Sequence, residues 1–179
     1  MRYFRPLSFL LLLPVILGCG GSSVKKDSKN ATKNPIVQIE TTQGVFKAEL
    51  YGDVKVTVQN FTDLVNRGFY NGLTFHRYEP GFVIQGGDPA GTGSGSSEKT
   101  IPLEIVEKYT HVEGALGMAR SSNPDSASCQ FYVCLAPSHF LDKNYAVFGK
   151  VVEGFENVQK LRKGDKMTKV FMVEPVAPK

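Results

Sequence analysis

The most informative segment of this sequence reads Phe75-His76-Arg77-Tyr78-Glu79-Pro80-Gly81-Phe82-Val83-Ile84-Gln85-Gly86-Gly87-Asp88-Pro89. Its apolar runs on either side of Pro80-Gly81 predict two short β-strands joined by a turn. The same segment carries a permanently charged guanidinium (Arg77), an apolar pair (Phe82 and Val83) and a neutral amide (Gln85). The sequence therefore predicts that a fixed cation, apolar surface and an amide lie close together in the folded chain.

Two later segments complete a pattern that runs through most of the chain. The first reads Cys129-Gln130-Phe131-Tyr132-Val133, and the second reads Phe140-Leu141-Asp142 followed by Tyr145-Ala146-Val147-Phe148-Gly149-Lys150-Val151. With the first segment they resemble the cyclophilins, whose signatures read roughly F-H-R-x-x-x-x-F-x-x-Q-G-G-D, S-Q-F-F-I and W-L-D…H-V-V-F-G-K-V. All three lie in the family's order and near its spacing within residues 35–173. The resemblance implies a peptidyl-prolyl cis–trans isomerase that uses no cofactor.

Short strands are predicted throughout the folded part. Phe46, Ala48 and Leu50 recur at every second position, which is the period of a half-buried strand. The predicted strands are 36–41, 45–51, 75–78, 82–85, 115–119, 129–135, 147–151 and 170–173. Such a series favours an antiparallel barrel or a sandwich, and periodicity alone does not choose between them. The resemblance implies a mainly β fold: a closed eight-stranded antiparallel barrel capped by two α-helices.

Two helices are predicted from apolar spacing and end signals. Thr57 is the predicted N-cap of the first, and Gly68 lies where that helix would stop. Phe155 begins the apolar face of the second helix, which is predicted to continue to Gly164. Its last turn is predicted to carry Lys160, Arg162 and Lys163.

Residues 1–18 are predicted to be a signal peptide. Arg2 and Arg5 precede an apolar run that is too short to span a bilayer as a helix. The run ends at Gly18-Cys19, which resembles a bacterial lipobox, so Cys19 is the predicted lipidation site. The alternative is an ordinary signal peptide that is cleaved at a small residue near Gly18, Gly20 or Gly21.

Residues 19–34 are predicted to be the lipidated cysteine and a flexible tether, because almost nothing in them could be buried. Fifteen such residues would reach roughly 20 Å. Residues 35–175 are then one isomerase domain. This organisation predicts a protein of the bacterial cell envelope, anchored to a membrane by lipid, with its domain outside the cytoplasm. Gly20 and Gly21 lack the Asp that resembles an inner-membrane retention signal, which favours the outer membrane.

Charge and cysteine content limit the partners. The net charge of +4 falls to +2 without residues 1–18, and no basic cluster is interleaved with aromatic residues, so no nucleic-acid partner is expected. Cys129 and Cys134 lie on one predicted strand at an odd offset and roughly 16 Å apart, beyond disulfide reach. They are expected to be buried free thiols. No metal-ligand motif is present, so no metal is expected, and the domain is expected to be a monomer.

The resemblance assigns roles to particular residues. Arg77 would donate to the twisted proline nitrogen, with Gln85 positioning it and Phe82 beside it. Taken alone, an arginine in a short strand is usually a solvated surface group, and apolar residues usually form core. The remaining substrate-binding residues that the resemblance implies are Val83, Gly91, Ala119, Arg120, Gln130, Tyr132, Phe140, Leu141 and Tyr145. X-Pro polypeptides are the implied substrates.

Departures from the best-known eukaryotic pattern bear on ligand preference. Phe140 stands where a Trp is often found, and Tyr145 where a His is common. Because the resemblance implies that the Trp donates a hydrogen bond to the drug cyclosporin, this chain is expected to bind cyclosporin weakly. The histidines at 76, 111 and 139 are expected to be structural or surface residues.

Two other functions compete with catalysis. The first is a proline-peptide-binding or chaperone module that uses the groove without turnover. The second is a structural envelope lipoprotein on the same fold. Retention of Arg77 together with Gln85 favours the enzyme, because binding alone would mainly need the apolar pocket.

Overall fold

The structure is a computed structural model that describes residues 34–173, together with Met1. The predicted signal peptide, the lipidation site Cys19 and the tether up to residue 33 lie outside the described residues, as do residues 174 and 175 of the predicted domain. Among the described residues, no helix has the length and apolar character that crossing a membrane requires.

Eight strands and two α-helices make up the described part. The strands are β1 (Ile36–Thr41), β2 (Gly44–Leu50), β3 (Phe75–Glu79), β4 (Val83–Gly86), β5 (Ala115–Met118), β6 (Phe131–Cys134), β7 (Val147–Glu153) and β8 (Met167–Val173). The helices are α1 (Lys55–Asn66) and α2 (Phe155–Lys160). Two single 3-10 turns, Pro124–Ser126 and His139–Leu141, interrupt the loops before and after β6.

The strands form one sheet in the order β3-β4-β6-β5-β7-β2-β1-β8, and every pair is antiparallel. The sheet curls into a half-barrel, with β3 and β8 at its two ends. The predictions of a mainly β fold, eight antiparallel strands and two helices are confirmed. A closed barrel, as predicted, would also require β3 to pair with β8. Within residues 34–173, the only strand pairing between these two ends is one isolated bridge between Thr74, just before β3, and Lys166, just before β8.

The main core packs between one face of the sheet and helix α1. In β2, Phe46, Ala48 and Leu50 are all buried, as their alternation predicts. The ring of Phe61, from α1, lies 5.4 Å from that of Phe131 in an edge-to-face arrangement. Aromatic pairs of this kind add to the burial of their apolar area, so α1 is held firmly against the sheet.

Strand β6 separates the core from the site. Phe131 and Val133 pack in the main core, whereas Tyr132 packs in a smaller apolar cluster with Val83. Successive residues of β6 therefore face opposite sides of the sheet. Because β4 pairs with β6, Gln85 lies opposite Tyr132 in the register, so the two segments quoted above meet side by side.

Cys129 and Cys134 are buried free thiols in the structure. Cys129 belongs to the main core and Cys134 to the smaller cluster, so they lie on different sides of the sheet. Burial raises the pKa of the Cys134 thiol to about 12, which keeps it protonated and unreactive at neutral pH.

The start of α1 differs from the prediction. The helix begins at Lys55, and Thr57 lies inside it. The cap comes from a distant residue: the Glu104 carboxylate accepts hydrogen bonds from the backbone N–H groups of Val56 (3.3 Å) and Thr57 (2.9 Å) and from the Thr57 hydroxyl (3.0 Å). A carboxylate at this end satisfies free N–H groups and faces the positive end of the helix dipole. The prediction that Thr57 is the N-cap was therefore wrong.

The end of α2 also differs from the prediction. The helix stops at Lys160, and Leu161 is already extended, so Arg162 and Lys163 lie beyond its last turn. The Arg162 guanidinium instead donates to the carbonyl of Gln159 at 2.8 Å and lies 4.6 Å from the Tyr78 ring.

Replacing Glu104 with alanine is expected to lower the free energy of unfolding by about 1–2 kcal/mol, because two helix N–H groups lose their acceptor. The matched control is Glu107→Ala, which removes an exposed carboxylate from the same loop. Chemical denaturation of the three proteins would measure the difference. Equal unfolding midpoints for Glu104→Ala and Glu107→Ala would contradict this account of the helix start.

Candidate active site

A cleft of about 550 Å³ opens on the face of the sheet away from the main core. Its walls come from β3, β4, β6 and the loops that follow β3, β4, β5 and β6. The residues that line it are His76, Arg77, Phe82, Val83, Gln85, Thr92, Gly93, Ala119, Arg120, Tyr132, Leu141 and Tyr145. Nine of the twelve residues predicted for catalysis or substrate binding are in this set, so the structure brings most of the predicted site together.

A chain of side-chain hydrogen bonds holds the cation of the cleft. Arg77 Nη1 donates to Gln85 Oε1 at 3.3 Å, and Gln85 Nε2 donates to Gln130 Oε1 at 2.9 Å. Gln130 Nε2 in turn donates to the carbonyls of Gly93 (3.0 Å) and Gly95 (2.7 Å). Both glutamine amides are thus oriented by their hydrogen-bond partners. The chain of bonds runs from β3 through β4 to Gln130, the residue directly before β6, and ends at the loop after β4.

The Arg77 guanidinium is free to meet a ligand. Its side chain is 46% exposed, its Nε donates to Glu79 at 3.4 Å, and its Cζ lies 5.7 Å from the centre of the Phe82 ring. Within residues 34–173, no hydrogen bond uses Nη2. Two N–H groups of a permanent cation therefore remain available beside an aromatic ring.

The apolar wall of the cleft consists of Phe82, Val83, Tyr132 and Leu141. Val83 and Tyr132 are nearly fully buried, whereas the other two are partly exposed at the surface of the smaller cluster. The Tyr132 ring lies against Gly117, its register partner on β5, and a Cβ at position 117 would collide with it. This glycine makes room for the phenol in the wall.

Arg120 lines the cleft, but its charge is already engaged. Its Nε and Nη2 donate to the Asn144 carbonyl at 3.0 and 2.8 Å, and Nη1 donates to the Ser121 carbonyl at 2.8 Å. The guanidinium also lies 4.6 Å from the Tyr145 ring. These contacts fix Tyr145 at one end of the cleft, with Ala119 beside it.

Three predicted residues lie outside the lining of the cleft. Gly91 is displaced from it, and the next two residues, Thr92 and Gly93, occupy that wall instead. Gln130 stands behind Gln85 and lines an adjoining polar depression. Phe140 projects at the rim, 71% exposed, with its ring 5.3 Å from that of Phe82.

The loop after β4 owes its shape to Asp88, to which the sequence analysis assigned no role. Its buried carboxylate accepts from the backbone N–H groups of Ala90 (2.7 Å), Thr92 (2.9 Å) and Gly93. Burial would raise the pKa of this carboxyl, but the backbone hydrogen bonds outweigh burial and lower it. An ionised Asp88 therefore holds Thr92 and Gly93 in the wall of the cleft.

Comparisons with known proteins show which family the chain belongs to. A family model described as cyclophilin type peptidyl-prolyl cis-trans isomerase matches residues 36–177. This chain belongs to the cyclophilin family. The cyclophilin is 40% identical over 144 residues to a peptidyl-prolyl cis-trans isomerase of Acinetobacter baylyi, covering 75% of each chain. It is 45% identical over 124 residues to peptidyl-prolyl cis-trans isomerase B of Bacillus subtilis, covering 68% of this chain and 86% of that one.

A solved structure also resembles this cyclophilin. The cyclophilin type isomerase of Cryptosporidium parvum, crystallised in the presence of the dipeptide Ala-Pro, superposes with a TM-score of 0.73 at 28% identity. The match covers 78% of this chain and 99% of that one. The family model and the curated relatives together establish the activity: the protein is a peptidyl-prolyl cis–trans isomerase.

Two histidines of this cyclophilin lie closer to the cleft than the sequence indicated. His76 lines it, and neither of its ring nitrogens has a hydrogen-bond partner among the described residues. Burial lowers the pKa of His76, so its ring is neutral at physiological pH. His111 is fully buried behind Tyr132, to which it is hydrogen-bonded. His139 is exposed, as expected of a surface residue. Within residues 34–173, no group of three His, Cys, Asp or Glu side chains could hold a metal ion.

Proposed function

We propose that this isomerase acts through the Arg77 guanidinium, which stabilises the twisted state of an X-Pro bond bound in the cleft. Rotation about such a bond must break amide resonance, at a barrier of about 18–20 kcal/mol. As the bond twists, the proline nitrogen recovers its lone pair. A donor aimed at that nitrogen lowers the barrier, because it interacts more strongly with the twisted state than with either planar form.

The observation that carries this proposal is the pair of unused N–H groups on Arg77 Nη2, next to the apolar wall. The charge persists at every working pH, and the fork geometry is rigid. No bond is made or broken in the reaction, so one positioned donor and a partly dry surface are sufficient chemistry.

Gln85 is assigned a positioning role. Its Oε1 accepts from Arg77 while its Nε2 is committed to Gln130, so the amide cannot turn without losing one of these bonds. The loop carbonyls behind Gln130 fix that second amide. The result is a cation that needs little reorganisation when the transition state forms.

The apolar wall is assigned to the proline ring. Phe82, Val83, Tyr132 and Leu141 provide a concave apolar surface beside the cation. The presence of Ala-Pro with the Cryptosporidium parvum relative supports proline-containing peptides as the substrates of this chain. Ala119, Arg120 and Tyr145 would border the substrate backbone, and Phe140 would extend the rim.

A peptide assay tests the proposal against its closest alternative, a groove that binds proline peptides without turnover. A short X-Pro peptide is mixed with the purified domain, and both its affinity and its rate of isomerisation are measured. The proposal expects turnover by catalytic amounts of protein. Saturable binding without acceleration would overturn it in favour of a binding or chaperone module.

We also propose that the half-barrel closes into the eight-stranded barrel that the resemblance to the cyclophilins implies. Two backbone hydrogen bonds of 2.8 Å support closure: the Phe75 N–H donates to Asp165, and the Gly164 N–H donates to Phe75. Together with the bridge at Thr74 and Lys166, they connect the start of β3 to the segment before β8.

For its location, we propose a lipid anchor at Cys19 that holds the domain outside the cytoplasm, where it would act on X-Pro bonds of folding envelope proteins. The lipobox-like sequence and the polar segment 20–34 support this proposal. Lipidated precursors of this kind carry several acyl chains, and stable anchoring requires more than one chain.

Replacing Cys19 with serine is expected to move the protein from the membrane fraction to the soluble fraction, because segment 20–34 has no apolar face of its own. The matched control is Cys134→Ser, which changes a thiol buried in the domain. Fractionation after a high-salt wash is the measurement. A Cys19→Ser protein that stays with membranes after that wash would contradict the anchor.

A further inference from the structure

A buried triad of hydrogen-bonded side chains lies directly behind the apolar wall. The Tyr132 hydroxyl is 2.8 Å from His111 Nε2, and His111 Nδ1 is 2.7 Å from Asp142 Oδ1. The same carboxylate oxygen accepts the His111 backbone N–H at 2.8 Å. His111 has no exposed surface, and among residues 34–173 the hydrogen-bond partners of its ring are Tyr132 and Asp142.

The surroundings fix where the protons lie. Burial raises the pKa of Tyr132 well above its usual value, so the phenol keeps its proton and donates to His111 Nε2. Burial lowers the pKa of His111, more strongly than Asp142 raises it, so the ring is neutral and donates from Nδ1. Burial opposes ionisation of Asp142, but its hydrogen bonds with His111 and His139 outweigh burial and lower its pKa.

The triad connects two parts of the apolar wall that are distant in the sequence. Tyr132 comes from β6, and Asp142 directly follows Leu141 at the end of the 3-10 turn. Both Tyr132 and Leu141 line the cleft. His111 connects them, because its ring is hydrogen-bonded to Tyr132 and to Asp142, the residue next to Leu141. The ring planes of His111 and Tyr132 differ by 16°, so the imidazole runs alongside the phenol.

We propose that His111 is a positioning residue for proline isomerisation, which holds Tyr132 and the Leu141 segment at the separation that the substrate's proline ring requires. The proposal rests on the function assigned above to the apolar wall. His111 touches no substrate. It acts by accepting a hydrogen bond from the Tyr132 hydroxyl while donating one to Asp142. Only the neutral imidazole can do both.

Protonation of His111 would break this arrangement. A charged imidazole donates from both nitrogens, so the Tyr132 hydroxyl would lose its acceptor and would have to turn. The pKa of His111 is lowered in the folded protein. The hydrogen bond from Tyr132 is therefore intact at neutral pH and is lost only below the ordinary histidine pKa of about 6.5. The other ionisable groups that face the triad are His139 on the free side of Asp142, and Cys134, Tyr145 and Arg120 around the phenol.

A double-mutant cycle on the full chain tests the proposal. The variants are His111→Gln, Tyr132→Phe and the two combined, assayed for kcat/KM on a short X-Pro peptide. With Tyr132 present, His111→Gln is expected to lower kcat/KM by about threefold to thirtyfold, the range expected for members of one hydrogen-bond network. With Phe at 132, the same change is expected to cost about twofold or less, since the bond that His111 provides is already absent.

The pH profile separates positioning from a merely structural role. Between about pH 8 and about pH 5, kcat/KM of the wild type is expected to fall, and Tyr132→Phe is expected to lose most of that fall. The matched control is His139→Gln, which removes the exposed histidine bonded to the other Asp142 oxygen and should retain the fall. His76 also lines the cleft, but its titration would act equally with Tyr or Phe at 132.

Additive effects in the cycle, or an equal acid fall in Tyr132→Phe and the wild type, would overturn the positioning role. If His111→Gln does not fold, Asp142→Asn takes its place in the same cycle, with the same two outcomes. A wild-type protein without turnover at any pH would instead overturn the function assigned to the cleft. The two failures are therefore distinguishable.

Discussion

Replacing Arg77 with alanine is expected to lower kcat/KM for an X-Pro peptide by about a hundredfold to a thousandfold, the usual cost of removing one donor used in a transition state. Each tenfold loss corresponds to about 1.4 kcal/mol of transition-state stabilisation. The fold should survive, because the side chain is 46% exposed and its contacts with Phe82, Glu79 and Gln85 lie at the surface of the cleft. Peptide affinity should change far less than turnover, because the apolar wall remains.

The matched control for this prediction is Arg162→Ala. Arg162 also lies over an aromatic ring, that of Tyr78 on the same strand as Arg77, but it is outside the cleft. Its removal should leave kcat/KM within about twofold of the wild type, as expected for a surface substitution. Arg77→Lys adds a second comparison, since it keeps the charge and loses the fork. A folded Arg77→Ala protein with near wild-type turnover would refute the mechanism.

Replacing Phe140 with tryptophan is expected to raise cyclosporin affinity by about tenfold to a hundredfold, the effect of one added hydrogen bond of about 1–3 kcal/mol in a partly dry site. Phenylalanine has no donor, whereas an indole N–H can pair with an acceptor on the drug. The larger ring fits without repacking, because Phe140 is 71% exposed at the rim. Titration of both proteins with cyclosporin would measure the change.

Peptide turnover is the internal control for that prediction. Phe140 stands outside the lining of the cleft, so kcat/KM should change by about twofold or less in Phe140→Trp. Phe140→Leu, which removes aromatic surface and adds no donor, should leave cyclosporin binding weak. An unchanged drug affinity in Phe140→Trp would show that position 140 does not face the drug.

Much of the fold could be predicted because its signals are local. The alternation in β2 correctly identified its buried face, since a strand that is buried on one side must alternate. The start of α1 was wrong because its cap is not local. Thr57 has the side chain of a capping residue, but Glu104, from a loop 47 residues further along, satisfies the helix N–H groups. Nothing in the sequence near Thr57 announces that partner.

In the site, too, the residues that are close in the sequence could be predicted, and those held by distant partners could not. Arg77, Phe82 and Gln85 lie within one hairpin, so their proximity follows from the turn at Pro80-Gly81. Gly91 lies outside the lining of the cleft, although it was predicted to bind substrate. The Asp88 carboxylate binds the backbone N–H groups of Thr92 and Gly93 and holds these two residues in the wall instead.

His111 was missed because its role depends on two partners at separations of 21 and 31 residues, and a lone histidine in a loop carries no signal of either. The tyrosine at 132 was the available clue: a buried phenol requires a hydrogen-bond partner.

The most direct test of the central claim is the exchange between cis and trans forms of one X-Pro peptide at equilibrium, followed by NMR with catalytic amounts of protein. We expect the wild type to accelerate exchange and to leave the cis:trans ratio of the free peptide unchanged. Arg77→Ala should bind the same peptide with little acceleration. Equal acceleration by the wild type and Arg77→Ala would contradict the claim that the Arg77 guanidinium drives the rotation.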